Sequence, residues 1–395
     1  MTSFPSTLKL LLMACWMPDR PRPLTSELAW ELACGGPFPD PVHLSGDEAF
    51  MALALREGML GVGLASPNPP VGCVLARDGR VIGRGVHTRA GDPHGEIMAL
   101  RDAENRDEPT QGATAYVTLE PCCHHGRTPP CTDALLRAGI HRVVVGVRDP
   151  NPRVDGGGMA ILQAKGVQIQ EGVLQTACSR FHAPFFKLIR TGLPWVMLKL
   201  ALGSDGAIGP EGRSTQVTSA EIQKLAHALR RASEAIVVGR WTVEVDDPML
   251  TDRWPTHTAP HRLALRVVLD SHGRLADTRK IWQPVAGQPV LRAVLEDIPP
   301  LRGVEDLRLP PGDGGCSLRH LLHELAARGV GRVLFEGGGD LARRLLEQGL
   351  VDEFHRFTSE APAGGPQVNL DTTRLAVRRA QAVFPGGRWE VLAAQ

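Results

Sequence analysis

Apolar positions fall in short blocks, and the spacing inside each block changes along the chain. Ser45 and Glu48 form a capping-box pattern ahead of Phe50, Met51, Leu53 and Ala54, which predicts a helix start. Two short strands follow, Val71–Leu75 and Val81–Val86, separated by the hairpin signal Asp78-Gly79. Apolar residues from Ile97 to Leu100 predict a helix opening near His94. Strands are expected at Ala115–Leu119, His141–Val147 and Val167–Ile169, with helices at Thr132–Ala138 and Gly156–Lys165 between them. Strands alternating with helices imply an α/β sandwich.

A second series opens at Pro194-Trp195. Val196–Ala201, Ala235–Gly239, Arg266–Leu269 and Val333–Phe335 read as strands. Thr218, with Glu221 at the capping-box position, is placed to start a helix running to Ala232. Leu318–Arg328 is an amphipathic helix, and Gly337-Gly338-Gly339 precedes another at Leu341–Gln348. The expected division is an N-terminal extension over residues 1–43, rich in Pro, partly ordered and without periodicity. A first unit over 44–190 and a second over 191–395 follow, with Phe181–Gly192 as the joint.

Composition narrows the function classes. Lys+Arg number 44 and Asp+Glu 43, so the chain lacks the basic excess that a nucleic-acid grip or an anionic-membrane binder requires. Only 5% of residues are aromatic, too few for a base-stacking platform. The apolar run Leu10–Met17 is too short to span a bilayer. Eight Cys are too sparse for a disulfide scaffold, but Cys122, Cys123 and Cys131 cluster, which reads as metal binding or catalysis in a reducing compartment.

His94-Gly95-Glu96, Pro121-Cys122 and Cys131 supply that chemistry. One imidazole and two thiolates are the three ligands of a hydrolytic zinc centre that keeps a position open. Zinc brings the pKa of water to near ~7. Glu96, two residues from His94, can adjoin the metal without ligating it and pass a proton to a leaving amine. His-x-Glu followed by Pro-Cys is the signature of zinc nucleobase deaminases, although their second Cys follows more closely than Cys131 does here. His124 or Cys123 as a fourth ligand would make the site a closed, structural one instead.

With Ser66-Pro67-Asn68-Pro69-Pro70-Val71-Gly72-Cys73-Val74, His87, Pro93-His94-Gly95-Glu96 and Thr118-Leu119-Glu120-Pro121-Cys122-Cys123-His124-His125-Gly126-Arg127-Thr128-Pro129-Pro130-Cys131, the first unit closely resembles the deaminase half of the bifunctional riboflavin-biosynthesis deaminase–reductases. The resemblance implies an α/β chain, with a cytidine-deaminase-like α/β/α sandwich followed by a dihydrofolate-reductase-like α/β domain. It implies Zn2+ on His94, Cys122 and Cys131, proton shuttling by Glu96, and Asn68 and His87 near the pyrimidine. Arg127, in the loop between the two cysteines, is a plausible phosphate contact. Gly95 stands where the family usually has Ala.

The likeness continues through Leu198-Lys199-Leu200-Ala201, Asp205-Gly206, Asp246-Asp247-Pro248, Glu336-Gly337-Gly338 and Gly349-Leu350-Val351-Asp352-Glu353. It implies NADPH-dependent reduction of a ribosyl to a ribityl chain. Ser214, Arg230, Leu250, Arg253 and Glu336 would contact the sugar phosphate, and Ala201, Gln216, Thr242, Asp246, Ser271, Gly338 and Gly339 the cofactor. Lys199 would help as an acid or by its charge. Gln216 replaces an aromatic residue common in the family, and Gly203-Ser204 displaces a Ser by one position. These departures leave open a deaminase with a degenerate reductase unit, and a nucleobase or transfer-RNA deaminase is a further reading. The resemblance also implies a phosphorylated pyrimidine as substrate, neither nucleic acid nor membrane as partner, and a cytoplasmic homo-oligomer (dimer or tetramer).

Overall fold

The computed structural model describes residues 25–126, 129–213, 217, 219–251 and 262–394. The first unit is built on a five-stranded sheet of order β2-β1-β3-β4-β5, with β1 Gly72–Arg77, β2 Arg80–Val86, β3 Thr114–Val117, β4 Arg142–Val145 and β5 Gln168–Glu171. β1 is antiparallel to both neighbours, whereas β3, β4 and β5 run parallel. A parallel strand covered on both faces needs a continuous apolar run, and Val143, Val144 and Val145 are all buried. Helices Gly46–Met59, Gly95–Asn105, Cys131–Arg137 and Gly157–Ala164 complete the sandwich. Ser45 occupies the N-cap position of the first of these but makes no side-chain cap bond.

The second unit carries a nine-stranded sheet of order β10-β9-β8-β7-β13-β6-β14-β16-β15. Its strands are β6 Trp195–Leu202, β7 Ala235–Gly239, β8 Leu265–Leu269, β9 Val290–Val294, β10 Glu305–Arg308, β13 Arg332–Glu336, β14 Glu353–Ser359, β15 Val377–Phe384 and β16 Gly387–Ala393. A small hairpin, β11 Pro311–Gly312 with β12 Gly315–Cys316, stands apart. Only β16 runs against the other strands, antiparallel to both β14 and β15. The helix after β6 runs Ala220–Arg231 and is capped by Ser219, whose hydroxyl accepts from Ile222 N. Thr218, the expected cap, lies outside the described residues. The last helix starts at Gly339, with Gly338 as N-cap.

The segment before the first unit differs from expectation. Thr25 caps a helix, Ser26–Ala33, by accepting from Leu28 N, and Ala29, Leu32 and Ala33 are buried. Its period is masked in the sequence by flanking prolines. It packs against the Ala220–Arg231 helix, far away along the chain. Arg231 stacks 5.7 Å over the Trp30 ring, and the guanidinium of Arg332 donates to the carbonyls of Ala33 and Cys34.

A long helix, Gln175–Thr191, joins the units. Lys187 Nζ donates to Asp352 Oδ2 at 2.5 Å, and that oxygen also accepts from Val196 N at 2.7 Å. One apolar cluster runs without a break from Met51, Leu55 and Phe181 to Leu225, Leu334 and Trp389. The two units therefore bury each other's surface rather than hanging on a linker.

Candidate active sites

His94 sits at the N-cap of Gly95–Asn105, and its ring is turned toward two cysteines rather than toward its own helix. His94 Nδ1 lies 3.2 Å from Cys131 Sγ and 3.5 Å from Cys122 Sγ. The three ligand atoms lie within 4.8 Å of one another. Metal–ligand lengths of about 2.0–2.1 Å to N and 2.3 Å to S give tetrahedral edges of about 3.5 Å, so this donor set fits zinc. Cys122 faces both of the other donors. Hydrogen bonds from Cys131 and His94 pull its pKa down to about 4 against the effect of burial, and Cys131 Nα donates to its sulfur at 3.4 Å.

Cys123 is turned away, its Sγ 3.6 Å from the carbonyl of Arg153. Among the described residues the cluster thus has three donors, the number found in catalytic rather than closed structural sites. Arg127 lies outside the described residues.

Glu96 is 2% exposed, and burial together with the Cys122 thiolate pushes its carboxyl up to about 7. Its Oε2 is buried without a partner. Gly95 beside it has a packing reason, because a Cβ there would come 2.4 Å from the carbonyl oxygen of Val71. His87 and His94 meet edge to face at 5.1 Å. His87 Nδ1 lies 3.1 Å from the carbonyl of Pro93, which can only accept, so Nδ1 carries the proton. Nε2 then accepts from Asn68 Nδ2 at 3.1 Å, and burial keeps the ring neutral by lowering its pKa. This fixes the Asn68 amide and leaves its Oδ1 as an acceptor.

The residues expected to serve the second reaction gather toward the carboxyl ends of β6, β7, β8 and β13, where open α/β sheets bind ligands. Arg230 and Glu336 form a two-point ion pair, with Nε to Oε1 at 2.6 Å and Nη2 to Oε2 at 2.8 Å. Burial alone would raise the Glu336 pKa, but Arg230 outweighs it and brings it to about 2. Lys199 Nζ is 5.8 Å from the Phe357 ring; burial lowers its pKa, with Glu336 opposing and Arg230 assisting. Thr242 and Asp246 lie on the helix Arg240–Asp246, and Ala201 is half-buried on β6. Leu250 has φ +53°, a left-handed conformation that costs a branched residue about 1–2 kcal/mol, and its carbonyl accepts from Gln288 Nε2. Ser271 Oγ accepts from Cys316 N, so its hydroxyl anchors the small hairpin. Ser214, Gln216 and Arg253 lie outside the described residues.

Residues 44–147 match the model of the cytidine and deoxycytidylate deaminase zinc-binding region, and residues 194–371 match that of the RibD C-terminal domain. The riboflavin biosynthesis protein RibD of Escherichia coli is 39% identical over 319 residues, 78% of this chain and 86% of that protein. The chain belongs to the RibD family of bifunctional riboflavin-biosynthesis deaminase–reductases. A diaminohydroxyphosphoribosylaminopyrimidine deaminase/5-amino-6-(5-phosphoribosylamino)uracil reductase from Thermotoga maritima superposes with a TM-score of 0.78 at 32% identity, covering 88% of this chain and 99% of that one. RibD from Acinetobacter baumannii gives 0.76 at 33% identity, over the same shares. Zinc in the deaminase unit and NADPH in the reductase unit are the cofactors of a RibD enzyme of this composition, and nothing in these matches favours a transfer-RNA deaminase or a deaminase-only chain.

One residue of the site went unread in the sequence. Glu120, 4% exposed, accepts from Gly156 N, Met159 N and Asp149 N, and so anchors the strand end that carries Cys122. Its position beside Pro121-Cys122 was the available signal.

Proposed function

We propose that this chain deaminates 2,5-diamino-6-(5-phosphoribosylamino)pyrimidin-4(3H)-one and then reduces the ribosyl chain, giving 5-amino-6-(5-phosphoribitylamino)uracil. His94, Cys122 and Cys131 hold zinc, which when bound supplies the Lewis acidity that makes water nucleophilic near neutral pH. Glu96 takes the proton from that water and delivers it to the departing amine. Its buried, unpartnered Oε2 and raised pKa suit a group that must both accept and give a proton. Asn68, oriented by His87, accepts from the pyrimidine through Oδ1.

NADPH supplies the hydride of the second step when bound. Lys199, whose ammonium is disfavoured by burial, hands a proton to the sugar oxygen. Arg230 and Glu336 shape the sugar-phosphate side, together with Ser214, Leu250 and Arg253. Ala201, Gln216, Thr242, Asp246, Ser271, Gly338 and Gly339 form the cofactor side. The residues divide into an extension over 1–43, a deaminase unit over 44–190 and a reductase unit over 191–395.

No described helix is long and apolar enough to cross a membrane. Free Cys34, Cys73, Cys122, Cys123, Cys131, Cys178 and Cys316 agree with a reducing cytoplasm. The exposed Met98 and Trp241 agree with further burial in a homo-oligomer.

The observation that carries this reading is the three-donor cluster beside Glu96, whose buried Oε2 has no partner. Glu96→Gln tests it: the variant is expected to keep its zinc content and to lose ammonia release. Retained deaminase turnover in that variant would remove the assignment.

A further inference from the structure

β13 runs from the junction between the units into the reductase unit. Glu336, at one end, belongs to the reductase cleft. Arg332, at the other, lines a cavity together with Ser66, Pro67 and Asn68 of the deaminase unit. Four residue steps of strand separate Arg332 from Glu336 by about 13 Å.

At the docking end, Glu234 is 2% exposed and precedes β7. Its Oε2 accepts from Gly331 N at 3.0 Å and Arg332 N at 2.5 Å, both in the reductase unit. Ser66, of the deaminase unit, lies beside the same carboxylate: both side chains flank Gly331 and line one junction cavity. The approach is close: a Cβ on Gly331 would come 2.8 Å from Ser66 Oγ, and one on Gly329 would come 3.6 Å from Pro67 Cδ. A cavity of about 30 Å3 at this junction is lined by both Asn68 and Glu234.

Ser66 opens the loop that carries Asn68, and Asn68 N donates to the carbonyl of Ala65, closing the turn. From Asn68 the polar contacts continue to His87, and from His87 to the carbonyl of Pro93, the residue before His94. A run of neighbouring groups therefore leads from a reductase carboxylate, past Ser66, Asn68 and His87, to the residue before His94.

We propose that Glu234, a residue of the reductase unit, is a positioning residue for the deaminase, holding the Asn68 loop through Ser66. This rests on the reading that Asn68 lines the pyrimidine site. A buried carboxylate that already accepts two backbone N–H groups cannot shift to follow a loose loop. The Ser66 hydroxyl thus has a fixed anchor, and the loop is ordered before substrate arrives. The reductase body then acts as part of the deaminase binding site, although no atom of Glu234 touches substrate.

The test uses the full-length zinc-loaded enzyme and the variants S66A, E234Q, S66A/E234Q and N68A. Ammonia release gives KM and kcat, and NADPH oxidation on the already deaminated substrate reports the integrity of the reductase. S66A and E234Q are each expected to raise the deaminase KM about tenfold, the size expected for losing one polar interaction with a charged group, with kcat changed far less. The double variant is expected to match either single one, because both remove the same link. Zinc content and reductase turnover stay at the level of the parent. Unchanged KM in both single variants, multiplied effects in the double variant, or a parallel fall in reductase turnover would each overturn the proposal. N68A separates the two readings: if it leaves KM unchanged, the pyrimidine-site reading fails; if it raises KM while S66A and E234Q do not, only the positioning role of Glu234 fails.

Discussion

Arg230 and Glu336, from a helix and a strand 106 residues apart, close on each other with two hydrogen bonds of 2.6 and 2.8 Å at the mouth of the reductase cleft. Both side chains are largely shielded from water. The guanidinium that the sequence suggests as a phosphate ligand is thus first a partner for a carboxylate. Its Nη1 also donates to the carbonyl of Thr251 at 3.4 Å.

Removing one member of such a pair leaves a buried charge uncompensated. Arg230→Ala should destabilise the reductase unit by about 3 kcal/mol or more, read as a lower denaturant midpoint. NADPH oxidation should fall sharply while ammonia release continues. Equal loss of both activities would mean that the pair serves the whole chain rather than the cleft.

Zinc should bind in a one-to-one ratio and depend on all three donors. Cys131→Ser replaces a thiolate by a hydroxyl that does not ionise at neutral pH, so metal analysis should show zinc content falling toward zero. Chelation of the parent enzyme should abolish ammonia release and leave reduction of the deaminated substrate intact. Full zinc retention in the Cys131 variant would place the metal elsewhere.

Stability should fall with acid through His182. This ring is fully buried between the units, with Nε2 3.0 Å from Thr118 Oγ1 and Nδ1 without a partner. Burial, aided by Arg332, lowers its pKa to about 3. The unfolded chain takes up that proton at about 6.5, so the folded state is favoured fully above that pH and loses ground as pH falls toward 3. At pH 5 the loss is about 2 kcal/mol. His182→Gln should flatten the difference in melting temperature between pH 7.5 and pH 5. An unaltered slope would exonerate His182.

The short helix Ser26–Ala33 should matter more than its place outside the family match suggests. Leu32 is 6% exposed within the core shared by the two units. Leu32→Ala should cost about 2–3 kcal/mol, measured by urea unfolding. A cost near zero would show that the segment is an ornament on the surface.

What could be read in the sequence follows from the range of the forces involved. The grouping of His94, Cys122 and Cys131 was legible because metal chemistry restricts residue type and spacing within a few positions, and the structure brings the three side chains together. Strands such as β4 and β13 were legible because parallel strands must be apolar throughout. The Ser26–Ala33 helix was not, since its partner helix lies nearly two hundred residues on. β14, β15 and β16 also went unread. Their charged residues obscure the alternation, for Arg356, Arg378 and Glu390 neutralise one another only across strands. The Pro385-Gly386 turn between β15 and β16 was the overlooked signal.

The most direct test incubates the purified full-length protein with the diaminopyrimidinone ribosyl phosphate, with and without NADPH, and follows ammonia and NADPH together. The account predicts ammonia release in both mixtures and, where NADPH is present, its oxidation in equimolar amount after the ammonia. Ammonia release with no NADPH oxidation would contradict the claim that one chain carries both steps, and the absence of ammonia would contradict the deaminase assignment itself.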